Sequence, residues 1–207
     1  MKKGYIIIII SLLVVALLLM SWFWKGTVPS QLGYQQYLVW CQTAENGLKQ
    51  SKEMGNLRFI AQYKPSDFIS AQKYKVEQQQ IKKQETESYL YFNFRIEDKD
   101  KQQTPLKHQN PTQDQYYQRL NYLSFDMEKD FYVLEGSDTL SIAKFQFVQN
   151  YSLAPYIDYV LGFKRKDKTS AIKGPIRLIY QDRAFGNGKI QLLFEKEQLE
   201  RIPALTI

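Results

Sequence analysis

The sequence contains one cysteine and one histidine, Cys41 and His108, among its 207 residues. A single cysteine excludes an internal disulfide, a four-cysteine zinc site and a Cys-x-x-Cys redox centre. The histidine lies in a polar stretch, where we expect a solvated side chain, and one histidine cannot form a metal site that needs several ligands. The sequence therefore predicts no catalytic residue, no metal site and no cofactor.

Neither sign of charge dominates the chain. Of 28 basic and 21 acidic residues, only Lys2 and Lys3 precede position 25, so the remainder has a net charge of +5. This mild excess favours anionic neighbours such as lipid headgroups or acidic glycans. It lacks the concentrated positive field that drives nucleic-acid binding, so nucleic acid is not an expected partner.

A long apolar stretch is present near the start of the sequence. No charged residue occurs from Tyr5 to Trp24, and a helix of this length spans about 30 Å, the thickness of the hydrocarbon core of a bilayer. A cleaved signal peptide would have a shorter apolar run that ends in small residues, whereas this one ends in Trp22, Phe23 and Trp24. We predict an uncleaved transmembrane helix, a signal-anchor, with cleavage as the alternative.

The residues that flank this stretch predict its orientation. Lys2 and Lys3 precede it, Lys25 alone follows closely, and Trp22 and Trp24 suit the headgroup region. These five are the predicted membrane-interface residues, and the charge bias favours a single-pass inner-membrane protein with a cytoplasmic N-terminus. The resulting division is an anchor at 1–24, a connector at 25–29 and a periplasmic domain at 30–207.

Three segments of the domain have helical patterns. Ser30 is placed to cap the first helix, Pro65-Ser66-Asp67 begins the second, and Thr112 with Gln115 forms a capping box for the third. The second helix continues from Ser70 to Ser88 as a solvated surface helix or, alternatively, as a coiled coil that binds a partner. The first helix carries an apolar stripe of Tyr34, Tyr37, Leu38 and Cys41 and ends at Asn46-Gly47. Because Cys41 belongs to this stripe, we expect its thiol to be buried, with a reactive or lipidated cysteine as the alternative.

Alternating apolar residues predict strands in the rest of the domain. Asn56 to Tyr63 and Tyr89 to Ile96 are the first two. An antiparallel meander follows, with a turn at Glu135-Gly136-Ser137-Asp138 and a bulge near Ala143. Its strands are 125–133, 140–148, 157–163, 176–180 and 190–194. This order predicts an α+β domain in which short helices pack on an antiparallel β-sheet.

Two groups of charged residues are candidate sites. The densest basic cluster is a possible contact for anionic lipid or glycan, with a solvated hairpin tip as the alternative. Three acidic residues would lie on one face of a strand, where we expect them to be its solvent side rather than a catalytic pair. The basic cluster consists of Lys164, Arg165, Lys166 and Lys168, and the acidic group of Asp126, Glu128 and Asp130.

Several segments resemble a family of uncharacterised envelope proteins of Bacteroidota, many of them lipoproteins. They are Tyr37 to Leu48, Gln62 to Pro65, and Leu123 to Asp126 leading to Asp138-Thr139-Leu140. The resemblance implies an exported domain and carries over no activity. The chain departs from this family because no lipidation cysteine follows its apolar stretch, which favours a transmembrane helix in place of a lipid anchor.

These observations favour a non-enzymatic binding or assembly subunit of a membrane complex, whose tyrosine-rich domain contacts other envelope proteins. An envelope hydrolase or ligand-binding enzyme is the first alternative, with a site of carboxylates and tyrosines that only the fold brings together. A regulator that faces the cytoplasm is the second alternative, and it requires the opposite orientation. The sequence indicates no particular small-molecule ligand.

Overall fold

The computed structural model describes residues 29–77, 88–148, 154–167 and 171–206. The predicted anchor and all five predicted membrane-interface residues lie outside these ranges. Within the described part, no helix is both long and apolar enough to cross a membrane. The predicted continuation from Ser70 to Ser88 is described only as far as Glu77 and again at Ser88.

The first helix is confirmed, but its predicted cap is wrong. Helix α1 is Tyr34–Gln42, and Gly33 rather than Ser30 takes the cap position. The reason is that the preceding residues form a short strand, β1 (Gln31–Gly33), which pairs in parallel with the strand Ala204–Thr206 near the end of the chain. Cys41 is buried, as predicted, with 1% of its surface exposed.

The second and third helices begin where the sequence predicts. Helix α2 is Ser66–Glu77 and helix α3 is Gln113–Asn121. The capping box of α3 is present, since the Thr112 hydroxyl accepts from the Gln115 backbone N–H and the Gln115 side chain accepts from the Thr112 backbone N–H. A short helix, α4 (Lys196–Leu199), lies near the C-terminus.

The predicted strand from position 125 is wrong in its first half. The chain continues α3 through a π-helical turn, Tyr122–Asp126, and a 3-10 turn, Met127–Asp130. Leu123 and Met127, four positions apart, are both fully buried, whereas Phe125 is 70% exposed. Helical spacing therefore buries more apolar surface here than alternation would.

Eight strands of the described chain form one antiparallel sheet. Their order is β2-β3-β4-β7-β6-β5-β8-β9, so the meander β5-β6-β7 lies at its centre. The bounds are β2 Lys49–Met54, β3 Leu57–Lys64, β4 Tyr89–Asp98, β5 Phe131–Glu135, β6 Asp138–Val148, β7 Tyr156–Lys164, β8 Ile176–Asp182 and β9 Gly188–Phe194, with β10 (Ala204–Thr206) paired separately to β1. Short helices with this sheet confirm the α+β class.

Strand β6 bends the sheet. Its first residues pair with β5, and from Ile142 onward it pairs with β7. The register shifts between Ile142 and Lys144, which confirms the bulge predicted near Ala143. Because a bulge increases local twist and bend, the two halves of the sheet face each other and form an incompletely closed barrel.

Aromatic rings from both halves fill the space between them. The ring centroid of Phe94 on β4 lies 5.0 Å from that of Phe131, 5.6 Å from Tyr180, 6.2 Å from Tyr159 and 6.4 Å from Phe59. These rings belong to β5, β8, β7 and β3, respectively. One inward side chain therefore links five strands, and offset or edge-on ring pairs of this kind add to the free energy of burial.

Tyr159 has an unusual place in this core. Its side chain is fully buried, and its hydroxyl has no hydrogen-bond partner among the described residues. Burial raises its pKa well above the ordinary value of 10.0, so the hydroxyl stays protonated. A buried, unsatisfied hydroxyl costs about 1–3 kcal/mol.

We predict that Tyr159→Phe leaves the free energy of unfolding unchanged or raises it by about 1 kcal/mol, because the substitution removes an unsatisfied polar group. Tyr180→Phe is the matched control, since the Tyr180 hydroxyl donates to Asp182 at 3.1 Å. The control should lose about 1 kcal/mol. Urea unfolding measures both, and a larger loss for Tyr159→Phe than for Tyr180→Phe would contradict the prediction.

Candidate functional site

A broad depression lies on the outer face of β2, β3, β4 and β7. It has a volume of about 900 Å³. Inward positions of these strands hold the aromatic core, so period-two alternation turns the intervening side chains outward. We call this surface the paired-charge face, and its charged members are Lys49, Glu53, Arg58, Arg95, Glu97, Lys101 and Asp158.

Arg58 joins three strands across this face. Its guanidinium lies 2.8 Å from Glu53 on β2 and 2.9 Å from Glu97 on β4. Lys99 adds a second cation 2.8 Å from Glu53, and hydrogen bonds from Lys99 and Arg58 hold the pKa of Glu53 below its ordinary value. Glu53 is therefore held as a carboxylate between two cations.

Arg95 forms the second fixed pair. It donates from Nε and Nη2 to the two carboxylate oxygens of Asp158, at 2.6 and 2.8 Å. Its guanidinium also lies 3.7 Å from the ring centroid of Tyr156. A two-point bond together with a cation–π contact restricts the guanidinium to one orientation.

Two cations that have no described partner complete the paired-charge face, together with apolar side chains. Lys49 and Lys101 line the depression and form no ion pair within the described part of the chain, while Ile60, Val148 and Val160 supply apolar surface. The combination offers fixed charges of both signs around apolar patches. Such a surface can select a complementary partner surface by its pattern of charge.

The predicted basic cluster is not a continuous surface patch. Arg165 is buried, with 5% of its surface exposed, and it donates from Nε to Glu135 at 3.0 Å. Its Nη2 also bonds Glu135 and the carbonyl of Ala171. Lys164 is exposed at the end of β7, and Lys168 lies outside the described residues. The surface expectation is therefore wrong for Arg165, because a buried carboxylate holds its guanidinium.

The predicted turn at Glu135-Gly136-Ser137-Asp138 is confirmed, and its two acids hold the neighbouring loop. Lys166 and Lys173 each donate to Asp138 at 2.8 Å. The Gly136 backbone N–H donates to the Pro175 carbonyl at 3.2 Å. The buried pair of Glu135 and Arg165 ties the end of β7 to this turn, and removal of either partner would leave an uncompensated charge.

The predicted row of strand acids is also wrong, because these residues lie on helical turns. Asp126 pairs with Lys129 at 2.6 Å. Asp130 is buried, accepts from the Tyr122 hydroxyl at 2.8 Å and pairs with Arg183 at 3.0 Å. One acid of the three therefore enters an internal network instead of facing solvent.

A second buried acid lies at the end of β8. Asp182 accepts from the Tyr180 hydroxyl and from the backbone N–H groups of Ala184, Phe185 and Asn187. These bonds hold the turn that leads into β9. Tyr122 and Tyr180 interact with each other, so the two tyrosine–aspartate pairs form one cluster.

A smaller groove of about 480 Å³ lies beside this cluster. Arg119 lines it and donates from Nη1 to the carbonyls of Leu106 and His108, at 2.8 and 2.9 Å. The His108 ring packs edge-on against Phe185, so the histidine is half-buried rather than solvated as expected. Burial and the nearby Arg119 lower its pKa below the ordinary value of 6.5.

The thiol of Cys41 lies apart from both depressions. Burial raises its pKa to about 11, although the neighbouring Tyr37 hydroxyl and the positive charge of Lys64 act in the opposite direction. A thiol with this pKa is protonated at neutral pH and a poor nucleophile. No group of three or more His, Cys, Asp or Glu side chains able to hold a metal ion occurs in the described ranges.

No protein-family model matches the chain, and no curated protein matches it. Among solved structures, the chain is similar to the crystal structure of a DUF4426 family protein from Pseudomonas aeruginosa PAO1, with 9% sequence identity. The match covers 72% of this chain and 93% of the other, with a TM-score of 0.34. At this score the similarity supports no conclusion about fold or function.

Sequence reasoning missed the paired-charge face and the tyrosine–aspartate cluster. Arg58 and Glu97 are 39 positions apart, and Arg95 and Asp158 are 63 apart, so only strand order brings them together. The sequence signal that could have indicated the paired-charge face was the presence of charged residues at outward positions of β3, β4 and β7. Strand β2 gave no apolar alternation and was not predicted.

The pKa of Asp138 tests the two hydrogen bonds that Lys166 and Lys173 donate to its carboxylate. Hydrogen bonds from Lys166 and Lys173 lower its pKa from 3.8 to about 2. A carboxyl whose folded pKa is depressed contributes stability above its ordinary pKa and loses it as the pH falls through the folded pKa. We expect the Asp138 carboxyl carbon to titrate with a midpoint near pH 2 when it is followed by carbon-13 NMR. Lys173→Gln should raise this midpoint, and a midpoint near 3.8 in the unaltered protein would contradict the two bonds.

Proposed function

We propose that this chain is a membrane-anchored envelope protein whose α+β domain acts as a non-enzymatic binding or assembly subunit of a membrane complex. The uncharged stretch from Tyr5 to Trp24 supports the single span, and Lys2 and Lys3 support a cytoplasmic N-terminus with a periplasmic domain. The proposed location is the inner membrane. The resemblance to envelope proteins of Bacteroidota is consistent with this proposal.

The paired-charge face is the observation that carries the binding role. Its ion-paired charges already hold one another, so these side chains lose little conformational freedom when a partner arrives. Side chains fixed before association present one pattern of charge, and like charges in the wrong place repel an incorrect partner. Lys49 and Lys101 remain to form ion pairs with acidic residues of a partner protein.

The alternative function is an envelope hydrolase or ligand-binding enzyme. The tyrosine–aspartate cluster of Tyr122, Asp130, Tyr180 and Asp182 supports it, because the fold brings these groups together from separate segments. Their described hydrogen bonds run among themselves, to Arg183, to the Asn187 side-chain amide and to backbone N–H groups. We therefore interpret the cluster first as an internal support for the groove beside it.

The two lysines test the proposed function, because neither forms a described ion pair that a substitution would break. We expect partner proteins to copurify with the tagged full-length chain in mild detergent at native abundance. Lys49→Glu combined with Lys101→Glu should lower their recovery by about tenfold, because both substitutions replace attraction by repulsion.

The matched control is Lys107→Glu combined with Arg201→Glu, which makes the same change of charge at exposed positions outside the paired-charge face. Recovery from this control should equal that from the unaltered chain. A protein recovered alone and monomeric, or equal losses from the two double variants, would contradict the proposal.

A further inference from the structure

The groove beside α3 has the chemistry of a binding site for a small ligand. One wall is α3 and the segment before it, and the other is the turn after β8. Its volume of about 480 Å³ lies within the usual range for small-molecule sites. Its lining residues are Gln109, Pro111, Gln115, Gln118, Arg119, Tyr122, Arg183 and Ala184.

The lining is rich in hydrogen-bond donors and contains no carboxylate. Two arginines, three glutamines and a tyrosine line one opening. The nearest acids of the cluster, Asp130 and Asp182, are buried, with 7% and 3% of their surfaces exposed. The groove therefore presents positive charge to solvent, with the balancing negative charge behind it.

Arg119 is positioned for an anion that the described chain does not supply. Its Nη1 is bound by two carbonyl groups, and its guanidinium lies 5.1 Å from the ring centroid of Phe185. It forms no ion pair with a described carboxylate. The carbonyl groups fix the orientation of the guanidinium but leave Nε and Nη2 without a described partner, and these can bind an oxyanion.

Arg183 supplies the second cation. Its Nε is bound to Asp130 at 3.0 Å, which holds the side chain at the rim, while 69% of that side chain stays exposed. Its two terminal nitrogens have no described partner. Two guanidinium groups anchored at one end, with donors remaining at the other, form an arrangement that suits the planar or tetrahedral oxygens of a carboxylate or phosphate.

We propose that this groove binds a small ligand through a carboxylate or phosphate group, with Arg119 and Arg183 as its cations. Gln115 and Gln118 donate to and accept from neighbouring hydroxyl or amide groups of that ligand. The site is separate from the paired-charge face and does not depend on the partner-binding role. It is a binding site, and no chemical step is assigned to it.

Gln118→Glu tests this proposal without removal of a described contact, because Gln118 is exposed on α3. The nitrogen-15-labelled full-length chain, held in neutral detergent, is titrated with sodium citrate and separately with sodium phosphate. Sodium chloride keeps the ionic strength constant. We expect saturable shifts of the Arg119 and Arg183 Nε–H signals at millimolar concentrations, and an affinity about tenfold lower in Gln118→Glu because the new carboxylate repels the anion.

Gln191→Glu is the matched control, since it makes the same change of charge at an exposed position of β9 outside the groove. Its affinity should equal that of the unaltered chain. Saturation by citrate but not phosphate would identify the ligand group as a carboxylate, and the reverse would identify a phosphate. Shifts that do not saturate with either anion, or equal losses in the two glutamate variants, would overturn the proposal.

Discussion

Aromatic packing between the two halves of one bent sheet is the interaction on which the rest of this structure depends. Phe94 contacts rings from four other strands, and the bulge in β6 allows those strands to face it. The chain has a single, buried cysteine, so no internal disulfide can replace this core. Burial of large rings must therefore offset most of the conformational entropy lost on folding.

The same alternation that buries the rings also creates the paired-charge face. Each residue next to an inward ring on β4 points outward, which places Arg95 and Glu97 beside the outward residues of β3 and β7. Acids at strand ends have another role. Glu135 and Asp182 bind loop groups, so the turns around the barrel are held by buried carboxylates, and one such turn forms a wall of the anion-binding groove.

Local patterns in the sequence predicted most of the sheet, but not the contacts that form the sites. Period-two apolar residues identified β3, β4 and β7 to β9, and the capping box located the start of α3. The region from Phe125 to Asp130 was misassigned because Phe125 and Met127 also fit the alternation of a strand, and only the exposure of Phe125 distinguishes the two patterns. Arg165 was misplaced because its partner Glu135 lies 30 positions away, a separation that no local pattern reports.

The unfolding free energy of Phe94→Ala in urea tests the dependence on this core most directly. Phe147→Ala is the comparison, because Phe147 packs against the core but is only partly buried and has one described ring contact, with Tyr159 at 5.6 Å. We expect Phe94→Ala to lower the free energy of unfolding by about 3–5 kcal/mol and Phe147→Ala to lower it by less than half as much. Equal losses from the two substitutions would contradict the claim that rings gathered around Phe94 hold the halves of the sheet together.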